Sequence, residues 1–120
     1  MREGKLWILH LLAGAVILVL LGLHMFIMHL DTILSSLGTG YIDPISAESV
    51  FLRSKQVFFM VTYILLLGAA LYHGLYGFRN ILFELSLTRS AEKIINFFLV
   101  ASGVVMFVYG AFAAVYVFII

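Results

Sequence analysis

The chain has 120 residues, of which 64% are apolar and only 11% are charged, and its mean hydropathy is +1.17. Soluble domains carry about 25% charged residues, so this composition excludes an ordinary soluble domain and predicts a membrane protein. A net charge of +1 gives no electrostatic reason to expect nucleic acid as a partner. The absence of cysteine excludes disulfides, cysteine-ligated iron–sulfur clusters and thioether-linked haem.

Three apolar stretches, at about 6–30, 56–83 and 94–120, are each long enough to cross a bilayer as a helix, which takes about 20 residues. The segment 31–55 is rich in small and polar residues and contains Pro44, so it predicts a loop with one short interfacial helix. Residues 84–93 predict a tight polar turn. The sequence therefore predicts an all-α bundle of three transmembrane helices, one domain over 1–120, with no room for a soluble catalytic domain.

The distribution of basic residues predicts the orientation of the chain. The start resembles a signal peptide, but its apolar run exceeds the roughly 7–15 residues of such a segment, so we expect a retained first helix. Arg53 and Lys55 lie in the first loop, and the other basic residues lie at the N-terminus and the second turn: Arg2, Lys5, Arg79, Arg89 and Lys93. The positive-inside rule then predicts a multi-pass protein of the inner (cytoplasmic) membrane, with its N-terminus in the cytoplasm and its C-terminus outside.

Histidines inside membrane spans are rare and costly unless they have partners, so each one is a candidate functional residue. His10 and His24 are fourteen residues apart in the first span, which leaves them about 40° apart on one helical face. His10 lies near the inner surface and His24 near the outer one, whereas His73 has descended about 24 Å along the second span and also lies near the inner surface. His29, at the outer interface, is best interpreted as a hydrated histidine.

Small residues surround His73 on its own helix. Ala69, Ala70 and Gly77 share its face and Gly74 borders that face. Such a surface lets a flat ligand lie close to the backbone, as an axial histidine ligand of haem requires. The same residues also suit close helix packing, with His73 bonded across the bundle, and the spacing does not decide between these interpretations.

Arg79 follows His73 by six residues and lies at the cytoplasmic end of the second span. A guanidinium at this position can pair with the carboxylates of haem propionates. It can also serve as a snorkelling anchor that follows the positive-inside rule.

Two segments of the sequence resemble a known family. Residues 9–14 and 23–29 carry histidines in the order His10, His24, His29, and residues 71–77 read Leu-Tyr-His-Gly-Leu-Tyr-Gly. This pattern resembles the first two helices of the dihaem cytochrome b anchors of succinate:quinone and quinol:fumarate reductases. By matched position the resemblance implies that His24 binds the haem nearer the outer surface and His73 the haem nearer the iron–sulfur subunit.

The resemblance also implies partners and a role. Single-chain anchors of this family have five helices and two further ligand histidines, whereas two-chain anchors have three helices in each chain. The chain is therefore expected to pair with a second anchor chain, to dock an iron–sulfur subunit and a flavoprotein subunit, and to contact lipid. It would bind one or two b-type haems and pass electrons to or from membrane quinone, with the succinate or fumarate chemistry on the flavoprotein and none on this chain.

Two other functions stay open at this point. The chain could be the cytochrome b anchor of another dehydrogenase, such as one acting on hydrogen or formate, or a non-redox membrane scaffold or transporter subunit. The quinone site is not defined by the sequence, in which His10, Asp31 and Glu48 are loose candidates.

Overall fold

A computed structural model of the chain describes residues 2–38 and 43–120. Helices make up almost all of these residues, and neither described range contains a strand. Three helices are long: α1 (Arg2–Met28), α4 (Val57–Phe83) and α5 (Arg89–Ile119). Two are short: α2 (Leu30–Ser36) and α3 (Ala47–Ser54). The predicted all-α class is confirmed.

Each long helix is sufficiently long and apolar to cross a membrane, over Glu3–Met28, Val57–Phe83 and Arg89–Ile119. The second span agrees with the prediction to within one residue. The first and third helices begin earlier than their apolar stretches, and the segment between α1 and α4 contains two short helices where one was predicted. The chain is a multi-pass membrane protein.

The early start of α5 has a local cause. The side-chain oxygen of Thr88 accepts a hydrogen bond from the backbone amide of Ala91, so Thr88 is the N-cap and the helix begins at Arg89. Glu92 lies in the first turn, where a negative charge interacts favourably with the helix dipole. Residues 89–93, expected in the turn, are therefore the polar first turns of α5.

The three long helices lie side by side in a row with α4 in the middle. Helix α4 packs along both α1 and α5, whereas α1 and α5 make no backbone contact with each other in the described ranges. The molecule measures 59 × 32 × 22 Å, and a width of 32 Å is that of three adjacent helices of about 10 Å each. A row of this kind leaves both broad faces open.

Very little of the row is buried within the chain itself. The hydrophobic residues with least exposure are Ala13 on α1 and Tyr76 on α4, at 7% and 8%. Large apolar side chains such as Leu18 and Val19 are mostly exposed. Within a helix the backbone groups bond to one another, so these apolar faces are suited to hydrocarbon or to another membrane helix.

Close packing between α4 and α5 depends on two glycines of α5. A Cβ atom on Gly103 would lie 2.8 Å from Cδ1 of Leu75, and one on Gly110 would overlap the side chain of Leu67. Each glycine therefore accepts a leucine of α4 against its backbone, which is the close approach that small residues permit in membrane bundles.

Helix α3 lies at the end of the row where α4 begins and α5 ends, and it packs on both. Its N-cap is Ser46, whose hydroxyl oxygen accepts from the amide of Ser49. The guanidinium of Arg53 donates to the carbonyl of Pro44 and ties α3 back to the loop that precedes it. This end is called the His24 end below, and the opposite end, where α1 and α5 begin, is called the Glu3 end.

Replacement of Gly110 by leucine is expected to lower the stability of the bundle by about 1–3 kcal/mol, since the new side chain overlaps Leu67. The change is measured by adding SDS to the protein in mild detergent micelles and recording the SDS fraction at which it unfolds. The matched control is Gly22→Leu on α1, where nothing lies within 4 Å of an added Cβ. Equal stability of the two variants would show that the α4–α5 contact does not form as described.

Candidate functional site

Two of the membrane histidines form a stacked pair between α1 and α4. The imidazole rings of His10 and His73 lie with their centroids 4.1 Å apart and their planes within 1° of parallel. Both side chains are half-buried. The sequence placed both residues near the same surface but did not predict their contact.

One hydrogen bond defines the protonation of His73. Its Nδ1 lies 3.0 Å from the backbone carbonyl oxygen of His10. A carbonyl only accepts, so Nδ1 carries a proton and donates it, and in the neutral imidazole Nε2 then has the lone pair. Nε2 has no hydrogen-bond partner in the described ranges and is not among the fully buried unpaired atoms. A histidine that ligates a metal typically has this arrangement.

The pair is held by a reciprocal pattern on the two antiparallel helices. Gly14 follows His10 by four residues, and Gly77 follows His73 by four. A Cβ on Gly14 would lie 3.0 Å from Cε1 of His73, and one on Gly77 would lie 3.3 Å from Cε1 of His10. Each imidazole thus fills the space above the glycine of the other helix. The space above Gly74, adjacent to His73, is open.

His24 lies towards the other end of the same helix pair. Its ring meets Tyr63 of α4 edge-on, with the centroids 5.8 Å apart and an angle of 82° between the planes. Its Nδ1 is buried and has no hydrogen-bond partner in the described part of the chain. An unpaired buried nitrogen costs about 1–3 kcal/mol, so a partner from outside this chain would stabilise it.

The levels of His24 and His73 differ by roughly 15–21 Å along the bundle. His24 is fourteen residues beyond His10 on α1, and its neighbour Tyr63 is ten residues before His73 on α4, at about 1.5 Å per residue. The two histidines therefore cannot hold the same metal ion. Within 2–38 and 43–120, no group of three or more histidine and acidic residues is arranged to hold a metal.

Among the described residues, the other candidate site residues from the sequence are not found in contact with His10, His24 or His73. His29 is exposed in the break between α1 and α2. Glu48 is exposed in the first turn of α3 at the His24 end and lines none of the cavities described below. The side chains of Arg2 and Asp31 lie outside the described residues.

Arg79 joins all three long helices at the Glu3 end. Its Nε donates to Oδ1 of Asn96 on α5 at 2.7 Å, and its Nη1 donates to Oδ1 of Asn80 at 3.2 Å. Its Nη2 lies 3.6 Å from Oε1 of Glu3 on α1, and the guanidinium lies over the ring of Phe83 at 4.3 Å. Most of its polar atoms therefore have partners within the chain, and the sequence predicted none of these contacts.

The side chains of Tyr72 and Tyr76 connect Arg79 to the histidine pair. Their rings stack 5.6 Å apart, and the hydroxyl of Tyr72 donates to the carbonyl of Leu6 on α1. Tyr76 also lies 5.2 Å from the ring of His10 and 5.7 Å from the guanidinium of Arg79. A continuous set of ring contacts thus runs from Arg79 to His73.

A cavity of about 390 Å³ lies between α4 and α5, beginning at this polar cluster. Its polar wall comprises Tyr72, Tyr76, Arg79 and Asn96, and its apolar walls include Leu75, Leu99, Val104 and Phe107. It extends about 16 Å from Arg79 to Gly68 at 1.5 Å per residue. This size and this polarity are typical of a site for a small amphiphilic molecule.

A second opening reaches the same polar cluster from the α1 side. It has a volume of about 680 Å³, and it is lined by Glu3 and Leu6 of α1 together with Tyr76, Arg79 and Asn96. The opening lies where α1 and α5 are separated by α4. The polar cluster is therefore accessible both from the α4–α5 cavity and from an open face of the row.

No family model, curated protein or solved structure matches the chain. The geometry of the histidines and of the α4–α5 cavity therefore carries the functional argument, together with the resemblance of the two short segments.

Asn96→Leu is expected to destabilise the Glu3 end by about 1–3 kcal/mol, because it leaves Nε of a half-buried arginine unpaired. SDS unfolding in mild detergent measures the effect. Ser102→Ala is the matched control on α5, since among the described residues the Ser102 hydroxyl bonds only to the carbonyl of Phe98 on its own helix. If both variants unfold at the same SDS fraction as the unaltered protein, Asn96 does not join α4 to α5.

Proposed function

We propose that the chain is a membrane anchor subunit of a succinate:quinone or quinol:fumarate reductase type of complex. In this role it holds b-type haem and mediates electron exchange between an iron–sulfur subunit and membrane quinone. The observation that carries the proposal is the hydrogen bond from Nδ1 of His73 to the carbonyl of His10, which leaves Nε2 free to bind iron.

The residues fit two haem sites on different levels. His73 would supply the ligand at the Glu3 end, and no described atom lies within 4 Å of a Cβ built on the adjacent Gly74, so that side of α4 is open. His24 would supply the ligand at the other end, and its buried Nδ1, unpaired among the described residues, can take a hydrogen-bond partner from a second chain. Haem held by an imidazole on each side would supply one-electron transfer and would not bind oxygen.

The second ligand of each haem comes from a second anchor chain in this proposal. His24 and His73 are separated by roughly 15–21 Å, so neither can complete the coordination of the other's iron. The row of α1, α4 and α5 has two open apolar faces on which partner helices can pack. The partner chain would place its histidines opposite His24 and His73.

Arg79 is proposed to hold a propionate of the haem on His73. Its bonds to Asn96 and Asn80 fix the guanidinium, whereas its contact with Glu3 is long and Glu3 is 68% exposed. A propionate can replace that carboxylate at Nη2, because both groups are anionic acceptors. Glu3 then serves as the partner of Arg79 before haem binds.

The Glu3 end is proposed to face the cytoplasm. It carries the basic side chains of Lys5, Arg89 and Lys93, as the positive-inside rule requires for a cytoplasmic end of an inner-membrane protein. The iron–sulfur and flavoprotein subunits would dock at this end, near the level of His73, and the C-terminus would lie outside.

The α4–α5 cavity is the proposed quinone site. A quinone has carbonyl acceptors on a flat ring and an apolar tail. The amide Nδ2 of Asn96 and the hydroxyl of Tyr76 have no hydrogen-bond partner in the described ranges and can donate to a carbonyl. The tail would lie along the apolar walls, and Tyr72 and Tyr76 are within one helical turn of His73.

His73→Ala and His24→Ala are each expected to remove a different haem, because the two ligands lie on different levels of the bundle. Redox-titrated optical and EPR spectra of membranes carrying each variant measure the loss. His29→Gln is the matched control and should retain the haem content of the unaltered chain, since His29 is exposed. Unchanged haem in both alanine variants contradicts the ligand assignment and favours a non-redox scaffold.

Val104→Trp is expected to block quinone binding by filling the α4–α5 cavity, with haem content unchanged. Val105→Trp is the matched control, because Val105 is 66% exposed and does not line that cavity. The difference is measured as the affinity of the membranes for a fluorescent quinone-like inhibitor. Quenching of the inhibitor's fluorescence reports its binding. Equal binding by the two variants places the quinone elsewhere.

A further inference from the structure

We infer that His10 is a positioning residue, whose imidazole fixes the ring plane of His73 and thereby the orientation of the haem ligand at the Glu3 end. This inference rests on the proposed function, because it requires haem on His73. His10 itself touches neither iron nor substrate in this account.

The ring plane of a histidine needs a restraint from outside the residue. The torsion that rotates the imidazole about its bond to Cβ has broad energy minima, so the side chain alone does not select one plane. The hydrogen bond from Nδ1 to the carbonyl of His10 fixes the position of one ring atom of His73. The ring can still tilt about that bond unless one of its faces is covered.

The imidazole of His10 supplies this cover. It lies parallel to the His73 ring, with the planes within 1° and the centroids 4.1 Å apart, so a tilt of His73 would bring the two rings into collision. Along its edge, His73 meets the backbone of α1 at Gly14, where a Cβ would lie only 3.0 Å from Cε1. His73 is thus restrained along one edge and over one face.

His10 is itself held in place by α4. A Cβ on Gly77 would lie 3.3 Å from its Cε1, and the ring of Tyr76 lies 5.2 Å away at an angle of 47°. Its Nδ1 has no hydrogen-bond partner in the described part of the chain. The side chain of His10 therefore acts on His73 through ring contact, whereas its main chain acts through the hydrogen bond.

These two contributions can be separated by substitution. Any residue at position 10 keeps the backbone carbonyl that accepts from His73. Phenylalanine also keeps a flat ring, whereas leucine removes it. His10→Phe and His10→Leu therefore differ chiefly in whether the face of His73 is covered by a flat ring.

EPR spectra of the oxidised haem in membranes test the inference. The g values of low-spin ferric haem depend on the angle between the planes of the two imidazoles that bind it. A contact that only stabilised the fold would leave this angle unchanged. We expect His10→Leu to shift or broaden the largest g value of the haem on His73, or to lose that signal. His10→Phe should retain the spectrum of the unaltered chain, and the haem on His24 should be unchanged in both.

Two results would overturn the inference. One is a His10→Leu spectrum that superimposes on that of the unaltered chain. The other is an equal shift or loss in His10→Phe and His10→Leu, which would assign the effect to the imidazole nitrogens instead of the flat ring. If the unaltered chain itself gives no low-spin haem signal, the proposed function fails and not the role of His10 alone.

Discussion

The close approach of α1 and α4 at Gly14 is the constraint on which the rest of the site depends. Because Gly14 has no side chain, His73 can reach the carbonyl of His10 at 3.0 Å and lie parallel to its ring. That contact defines the free nitrogen of His73 and aligns the two helices. It also fixes the level at which His24 meets Tyr63. The histidine chemistry of the chain therefore follows from the packing of one helix pair.

The α4–α5 pair contributes a polar cluster, whereas the α1–α4 pair contributes the stacked histidines. Arg79 reaches Asn96 across the α4–α5 contact and Glu3 on α1, so one guanidinium joins three helices that otherwise meet only in pairs. Partially buried charges require such partners in a membrane. The same residues form the polar wall of the α4–α5 cavity, and ring contacts through Tyr76 lead from there to His10. The histidine pair, Arg79 and the cavity are thus parts of one connected cluster.

The three long helices and the separation of His24 from His73 along the bundle could be predicted from the sequence, because apolar length and a rise of 1.5 Å per residue are local properties. Hydropathy predicted that the third span begins at about residue 94, whereas α5 begins at Arg89. The Thr88 cap and the first turns of α5 are polar, so a search for apolar residues does not detect them. The contact of His10 with His73 depends on how two helices rotate against each other, which no single span determines. The shared spacing of histidine and glycine, His10 with Gly14 and His73 with Gly77, was the available signal for it.

The central claim is that this chain holds haem through histidines on two levels of one bundle. The most direct test is the optical spectrum of the unaltered chain, purified with its native partners through an affinity tag in mild detergent. We predict a reduced-minus-oxidised difference spectrum typical of b-type haem, in stoichiometric amount, together with an iron–sulfur subunit and a flavoprotein that copurify. An intact assembly that contains the chain and its partners but no haem would contradict the account.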